Sequence, residues 1–230
     1  NLRSNHWRWR KQMPRKINIK RSVLAADEEY AMRIRERMRE KRTLVVNLIG
    51  SPGAGKTTLL EATLGKTALS CAVIEGDVAT SRDAERISKT GTPVVQINTQ
   101  GGCHLEAHLL WKALEEINLS SLDVLFVENV GNLVCPAEFD LGEDYKVAVC
   151  SVPEGADKPL KYPHLFHESG AVVLTKVDLV PYIDFDSELF WSDVKRLNPL
   201  ASCLEVESLN GKGIEAWSDL LERWLMEKRQ

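Results

Sequence analysis

TLVVNLIGSPGAGKTT, residues 43–58, decides the fold. Its first half reads as a buried strand. Its second half, Gly50 to Thr58, satisfies G-x-x-x-x-G-K-[ST]. A strand before that pattern and a helical run from near Lys56 are the context that separates a phosphate loop from a structural glycine turn. The glycines let the backbone fold around phosphate with its N–H groups inward, and the helix N-terminus adds a positive dipole end. Gly53, Ala54, Gly55, Lys56, Thr57 and Thr58 are therefore the expected phosphate contacts. Lys56 suits the β- and γ-phosphates, and the Thr57 hydroxyl suits Mg²⁺.

Outward from this loop the chain alternates. Apolar runs at 71–76, 93–98, 123–129, 146–152, 171–176 and 202–208 read as further strands. Helical patterns fall at 27–42, 81–89, 104–117, 186–198 and 213–228. In the first of these, Asp27 has the chemistry of an N-cap, and Tyr30, Ile34 and Met38 recur every four residues as a packing stripe. Continuous apolar strands separated by helices predict an α/β fold, a mainly parallel sheet covered by helices on both faces. Residues 27–230 are expected to form one such domain, with 1–26 a basic arm before it.

Phosphoryl transfer also needs magnesium ligands and a residue that orients water. EGDVATSRDAE offers Glu75, Asp77 and Asp83 at a strand end. DVLFVENVGN offers Glu128, the first residue of an E-x-x-G variant of the D-x-x-G switch of GTPases, in which Gly131 would present its N–H to the γ-phosphate. Strand ends on the phosphate side of such a sheet are where ligands bind, so Asp77 and Glu128 join Lys56 as the expected catalytic set and join Thr57 as Mg²⁺ ligands. Asp83 is the weaker choice, because it can simply face solvent on a helix.

VVLTKVDLV closes a later strand with Thr175, Lys176 and Asp178. The pattern resembles N-K-x-D, the guanine-reading motif of GTPases. Asp178 would accept from guanine N1 and N2, Lys176 would lie along the base, and an adenine would leave the carboxylate unpaired. Thr175 stands where the motif has Asn, which puts the tie between this loop and the phosphate loop in question. EVESLNGKG resembles the last guanine-contacting loop, with Ser208 and Leu209 offering backbone groups. The nucleotide expected is GTP, with GDP as product.

The 230 residues carry 43% hydrophobic and 27% charged residues and a net charge of −3, a soluble composition with no overall bias toward nucleic acid. Residues 1–21 are basic without an acid and hold Trp7 and Trp9; an unstructured terminus accounts for them more simply than an RNA or membrane contact. No segment has transmembrane length or a signal-peptide core. Five irregularly spaced cysteines fit a reducing, cytoplasmic setting. Cys71, Cys150 and Cys203 lie in strands and read as core. Cys103-His104, at the start of a helical pattern, and Cys135, just past Glu128, form a donor set suited to Zn²⁺, Ni²⁺ or Cu ions, although free cysteines are commonly just small buried hydrophobes. His108 reads as helix surface.

NLIGSPGAGKTTLLEATL, EGDVATSRDAERI, QINTQGGCHLEAHLL, FVENVGNLVCPAEFDLGE, SVPEGADKPLKYPHLF and TKVDLVPY, long and in order, together resemble the HypB family of nickel-insertion GTPases of [NiFe]-hydrogenase maturation, over residues 17–228. That resemblance implies a P-loop NTPase fold of the SIMIBI GTPase type and a Ni²⁺ or Zn²⁺ site at Cys103, His104 and Cys135. It further implies a GTP-promoted homodimer, a HypA-type nickel chaperone as partner, and through it the hydrogenase large-subunit precursor. A γ-phosphate that orders the segment after Glu128 would then move Cys135. Lys158 and Lys161 in EGADKPLKYP are open to a nucleotide or dimer contact, with plain surface lysines the simpler reading. The cysteine motif or histidine tract that some members carry at the N-terminus is absent here, where the arm offers only His6, so tight N-terminal nickel storage is not expected. With no arginine finger evident, hydrolysis is expected to be slow. Three rivals remain: a urease-type nickel GTPase of the UreG kind, whose Cys-Pro-His motif is missing; a metal-binding module that nucleotide merely switches; and an RNA-binding GTPase using the arm.

Overall fold

The computed structural model describes residues 19–77 and 82–230, with side chains described over 25–76 and 83–230. The arm with Trp7 and Trp9, and the side chain of Asp77, lie outside the described residues. Seven strands form one sheet: β1 (Leu44–Ile49), β2 (Cys71–Asp77), β3 (Val94–Asn98), β4 (Val124–Glu128), β5 (Tyr145–Ser151), β6 (Ser169–Thr175) and β7 (Ser202–Val206). Their order is β3-β2-β4-β1-β5-β6-β7, and every pair is parallel. All seven lie where the apolar runs predict them.

Parallel strands need crossovers, and helices supply them. They are α1 (Ile19–Lys41), α2 (Lys56–Leu64), α3 (Arg82–Ser88), α4 (Ala107–Ala113), α5 (Cys135–Glu138), α6 (Lys158–Lys161), α7 (Pro163–Glu168), α8 (Ser187–Leu197) and α9 (Ile214–Arg229). Alternate residues of β1 point to opposite faces. Leu44, Val46 and Leu48 pack with α2 and α9 through Leu59, Trp217 and Leu221. Val45 packs with α1 and α4 through Ile34, Met38 and Leu110. A third cluster seats β5 and β6 against α7 and α8 through Phe166, Phe190 and Val194. A sheet covered on both sides leaves only its strand ends open to ligand, so the site must form at the carboxyl ends of β1, β2, β4, β6 and β7.

The Tyr30–Ile34–Met38 stripe packs as expected, joined by Ala31; Ile34 and Met38 are fully buried and Tyr30 half-buried. Two boundaries need correction. The first helix begins at Ile19, so Asp27 sits inside it and is not its N-cap. Its carboxylate instead accepts from the backbone N–H groups of Ala107 (3.1 Å) and His108 (3.0 Å), capping α4 from another element. The helix expected at 104–117 is confined to 107–113, and its own N-cap residue, Glu106, makes no side-chain cap. Cys103 and His104 therefore lie in the turn before that helix. Of the cysteines read as core, Cys150 is buried, while Cys71 and Cys203 are only partly so. No helix of the described residues is long and apolar enough to cross a membrane.

Because Asp27 supplies the only side-chain cap on α4 among the described residues, Asp27→Ala is expected to lower stability by about 1–2 kcal/mol, the usual worth of such a cap. Urea unfolding of the two proteins measures it; equal midpoints would rule the cap out.

Candidate functional site

A cleft of about 480 Å³ opens where β1, β2 and β4 end, lined by Pro52, Gly53, Lys56, Thr57, Glu75, Glu128 and Gly131 among others. Gly55 forms the N-cap of α2 with φ 93°, the left-handed region that disfavours a side chain. The Lys56 ammonium donates to the carbonyls of Gly50 (3.1 Å) and Ser51 (3.2 Å), and its burial lowers its pKa. The Thr57 hydroxyl donates to Glu128 Oε1 at 2.8 Å. Glu75 and Glu128 are register partners across β2 and β4, so two buried carboxyls border the cleft side by side. Burial pushes the Glu128 carboxyl up to about 7, against the pull of Lys56 and the Thr57 hydroxyl. Its Oε2 has no hydrogen-bond partner among the described residues. Asp83 borders the same cleft and is not a bare solvent-facing residue: it accepts from Arg86.

Gly131 approaches the phosphate loop so closely that a Cβ there would meet Pro52 Cγ at 2.7 Å and Pro52 N at 2.9 Å. Only glycine fits. The segment from Glu128 to Asn132 is thus pressed against the loop on one side. On the other it holds the turn that carries Cys103 and His104: Asn129 Oδ1 accepts from Leu105 N (3.0 Å), and Asn132 Nδ2 donates to Cys103 O (3.1 Å). Asn129 is itself fixed by a buried chain, donating to Asn47, which donates to Glu143. The sequence reading passes over Asn47, Asn129 and Asn132; a buried polar residue inside an apolar strand, as at Asn47, is the signal that could have exposed the network.

A second cleft of about 360 Å³ adjoins the first, lined by Gly55, Thr58, Thr175, Lys176, Asp178, Ser208 and Leu209 among others. The residues of the two late motifs therefore come together. The tie questioned at Thr175 is remade: its hydroxyl donates to Ala54 O at 2.6 Å, and Lys176 Nζ donates to Gly53 O at 2.8 Å. Lys176 adopts φ 58°, which turns the chain out of β6 toward the cleft. Ser208 Oγ is buried without a partner among the described residues.

The ligand atoms of Cys103, His104 and Cys135 lie within 4.8 Å of one another. Cys103 Sγ is 3.4 Å from His104 Nδ1. The His104 ring stacks on Phe139 with centroids 3.9 Å apart, and its burial lowers its pKa, favouring the neutral imidazole that metals bind. A hydrogen bond of the Cys103 thiol to Cys135, and then burial, raise the Cys103 pKa. Cys135 opens α5, which Lys146 anchors by donating to Ala137 O at 2.7 Å. Cys103 is exposed, so the cluster faces outward. His108 lies on α4 with its side chain part-exposed, as its reading as helix surface expects, and its Nδ1 lies 3.1 Å from Glu106 and 3.6 Å from Asp27, outside the Cys103–His104–Cys135 group. Lys161 pairs with Asp157 and Lys158 lies over Tyr162, both outside the two clefts.

Residues 44–205 match the family model described as CobW/HypB/UreG, nucleotide-binding domain. The hydrogenase maturation factor HypB of Escherichia coli strain K12 is 48% identical over 210 residues, 90% of this chain and 72% of that protein. Among solved structures, HypB from Helicobacter pylori in complex with nickel superposes with a TM-score of 0.85 at 36% identity, covering 89% of this chain and 97% of that one. Hydrogenase maturation factor HypB from Archaeoglobus fulgidus gives 0.82 at 39% identity, covering 88% and 100%.

Two predictions follow from the cleft's own chemistry. A carboxyl raised to about 7 on folding favours the fold below the ordinary carboxylate range and loses that contribution as pH rises through 7. Glu128→Gln keeps the acceptor for Thr57 and removes the titration. In nucleotide-free protein it is expected to stabilise by about 1 kcal/mol at pH 5 and by on the order of 3 kcal/mol at pH 8; urea unfolding at the two pH values decides, and an equal effect at both would contradict it. Thr175→Val leaves the Ala54 carbonyl without its donor and is expected to cost about 1–3 kcal/mol, with Thr175→Ser close to wild type.

Proposed function

The chain belongs to the HypB hydrogenase maturation factors of the CobW/HypB/UreG nucleotide-binding family, and on that premise we propose that it hydrolyses GTP to GDP and phosphate to govern the delivery of nickel held by Cys103, His104 and Cys135. One observation carries the proposal: three metal-binding side chains converge within 4.8 Å on segments bonded to the wall of the phosphate cleft.

Gly53 to Thr58 bind the phosphates, and Lys56 offsets the β- and γ-phosphate charge. Thr57, Glu128 and Asp77 are assigned to Mg²⁺. A hydroxyl bonded to a buried carboxylate that keeps one unpartnered oxygen is the hard-oxygen set magnesium takes. Bound there, Mg²⁺ would neutralise charge on the β- and γ-oxygens. Gly131 presents its N–H to the γ-phosphate. Asp178 reads guanine N1 and N2, Lys176 lies along the base, and Ser208 and Leu209 contribute backbone groups; the second cleft, bordered by all four, supports this.

Cys103 and Cys135 supply soft thiolates and His104 a neutral imidazole, a set suited to nickel in transit or to zinc. Binding the ion displaces thiol protons. The link to nucleotide runs through residues 128–132. A γ-phosphate that pulls Gly131 or Glu128 must also pull Asn129 and Asn132, which hold the Cys103 turn, and Cys135 follows three residues later. Partners consistent with an outward-facing cluster are a second copy assembled with GTP, a HypA-type nickel chaperone, and the hydrogenase large-subunit precursor reached through it. Free cysteines suit a reducing cytoplasm.

The test is a nickel titration of wild type and Cys103→Ala, each with GDP and with a non-hydrolysable GTP analogue. Wild-type affinity is expected to differ between the nucleotides, and Cys103→Ala to lose at least tenfold in both. Equal affinity in all four cases would sink the site and its coupling. Asn132→Ala should keep nickel binding with GDP but shrink the difference between nucleotides. Measurable GTP turnover lost on Lys56→Ala separates an enzyme from a metal module that nucleotide only switches.

A further inference from the structure

Arg86, on α3, bonds to Thr58, which lines both clefts, and has no part in the assignments above. Its guanidinium donates from Nε and Nη2 to the two carboxylate oxygens of Glu61 (3.1 and 2.5 Å), from Nη1 to Asp83 Oδ1 (3.1 Å) and from Nη2 to Thr58 Oγ1 (3.1 Å). It also borders the phosphate cleft itself.

The position of Thr58 gives that last bond its meaning. Gly55, Thr58 and Lys176 line both clefts. With phosphates in one and a base in the other, the α-phosphate and ribose that join them must pass these three residues. Lys56, two positions earlier, serves the β- and γ-phosphates. The Thr58 hydroxyl therefore marks the α-phosphate position, and Arg86 Nη2 lies one hydrogen bond from it.

A purely structural role explains Arg86 less well. Its side chain is 39% exposed and that of Glu61 30% exposed. A half-exposed pair, even a bidentate one, is worth on the order of 1 kcal/mol to a fold, and it leaves the placing of this guanidinium on the cleft wall beside Thr58 unexplained. A phosphate offers the planar guanidinium fork the same charge-assisted, two-pronged geometry that Glu61 offers. We propose that Arg86 binds the α-phosphate of the nucleotide, and that Glu61 holds the guanidinium beside Thr58 until nucleotide arrives. The proposal rests on the nucleotide-binding reading of the two clefts. It adds a contact that tells a nucleotide from a nucleoside without taking part in γ-phosphate transfer.

The experiment measures the affinities of fluorescent GDP and GTP analogues, the GTP turnover and the unfolding midpoints of wild type, Arg86→Ala, Arg86→Lys and Glu61→Gln. Arg86→Ala is expected to weaken GDP and GTP by the same factor, about 10- to 100-fold, the worth of a charged hydrogen bond, with kcat changed by less than about threefold. Arg86→Lys keeps the charge and should lose less. Glu61→Gln frees the guanidinium and should tighten both nucleotides by a few fold. Unchanged affinities with lowered midpoints in Arg86→Ala and Glu61→Gln would overturn the proposal and leave a structural tie. Loss of kcat with GDP affinity intact would also overturn it, in favour of a γ-phosphate contact. Wild type that binds neither nucleotide would overturn the GTPase reading itself, a result distinct from an Arg86 variant that matches a binding-competent wild type.

Discussion

The contact between the phosphate loop and the segment leaving β4 is the constraint on which the rest of the molecule turns. Thr57 donates to Glu128, and Gly131 lies against Pro52 with no room for one more carbon. Protein interiors at such a contact do not deform gradually; they shift between packed arrangements. Anything that repositions the loop must therefore reposition residues 128–132. The same five residues carry the amides that hold the Cys103 turn. The phosphate-loop cleft and the Cys103–His104–Cys135 cluster are thus adjacent in mechanics as well as in space, with no long pathway between them.

Polar groups buried at this junction are costly unless satisfied. The Glu143–Asn47–Asn129–Leu105 chain meets that requirement with a partner at each step. It fixes one end of the 128–132 segment to the sheet, through Asn47 on the central strand, while the other end runs into the exposed Val134 and then Cys135. A segment anchored at one end and exposed at the other can hinge. The raised Glu128 carboxyl sits at the anchored end, where a cation would reverse the burial penalty that now favours its protonated form.

The sheet was almost wholly legible in the sequence, because its central strands are buried along their length and largely apolar, and even the partly buried edge strands β3 and β7 carry short apolar runs. The phosphate loop was legible because its glycines serve backbone geometry within one short stretch. What the sequence concealed is what depends on distant partners. Asp27 has the chemistry of a cap, yet it caps a helix some 80 positions away (|i−j| 80 and 81). Thr175 looks like a defect in its motif until its hydroxyl is seen on Ala54 O. The amides of Asn129 and Asn132 are ordinary loop residues until the turn they hold is folded against them. Local pattern specifies local structure; ties between segments distant in sequence become visible only in the fold.

The metal cluster shows why a ligand count matters more than ligand identity. A structural zinc site is closed, with four protein ligands and a second shell around it. Among the described residues three candidate donors come together, and one of them, Cys103, is exposed. An ion held by these three donors alone would keep a coordination position that water, a second copy or another carrier could take. Exchange through that position would need no unfolding, only replacement of one ligand at a time. The turn bearing Cys103 is held by side-chain amides, and Cys135 opens a one-turn helix. Small movements of either can change the spacing of the donors. Under the proposed nickel-delivery role, a site built this way would trade the permanence of a closed zinc centre for the ability to give up its ion.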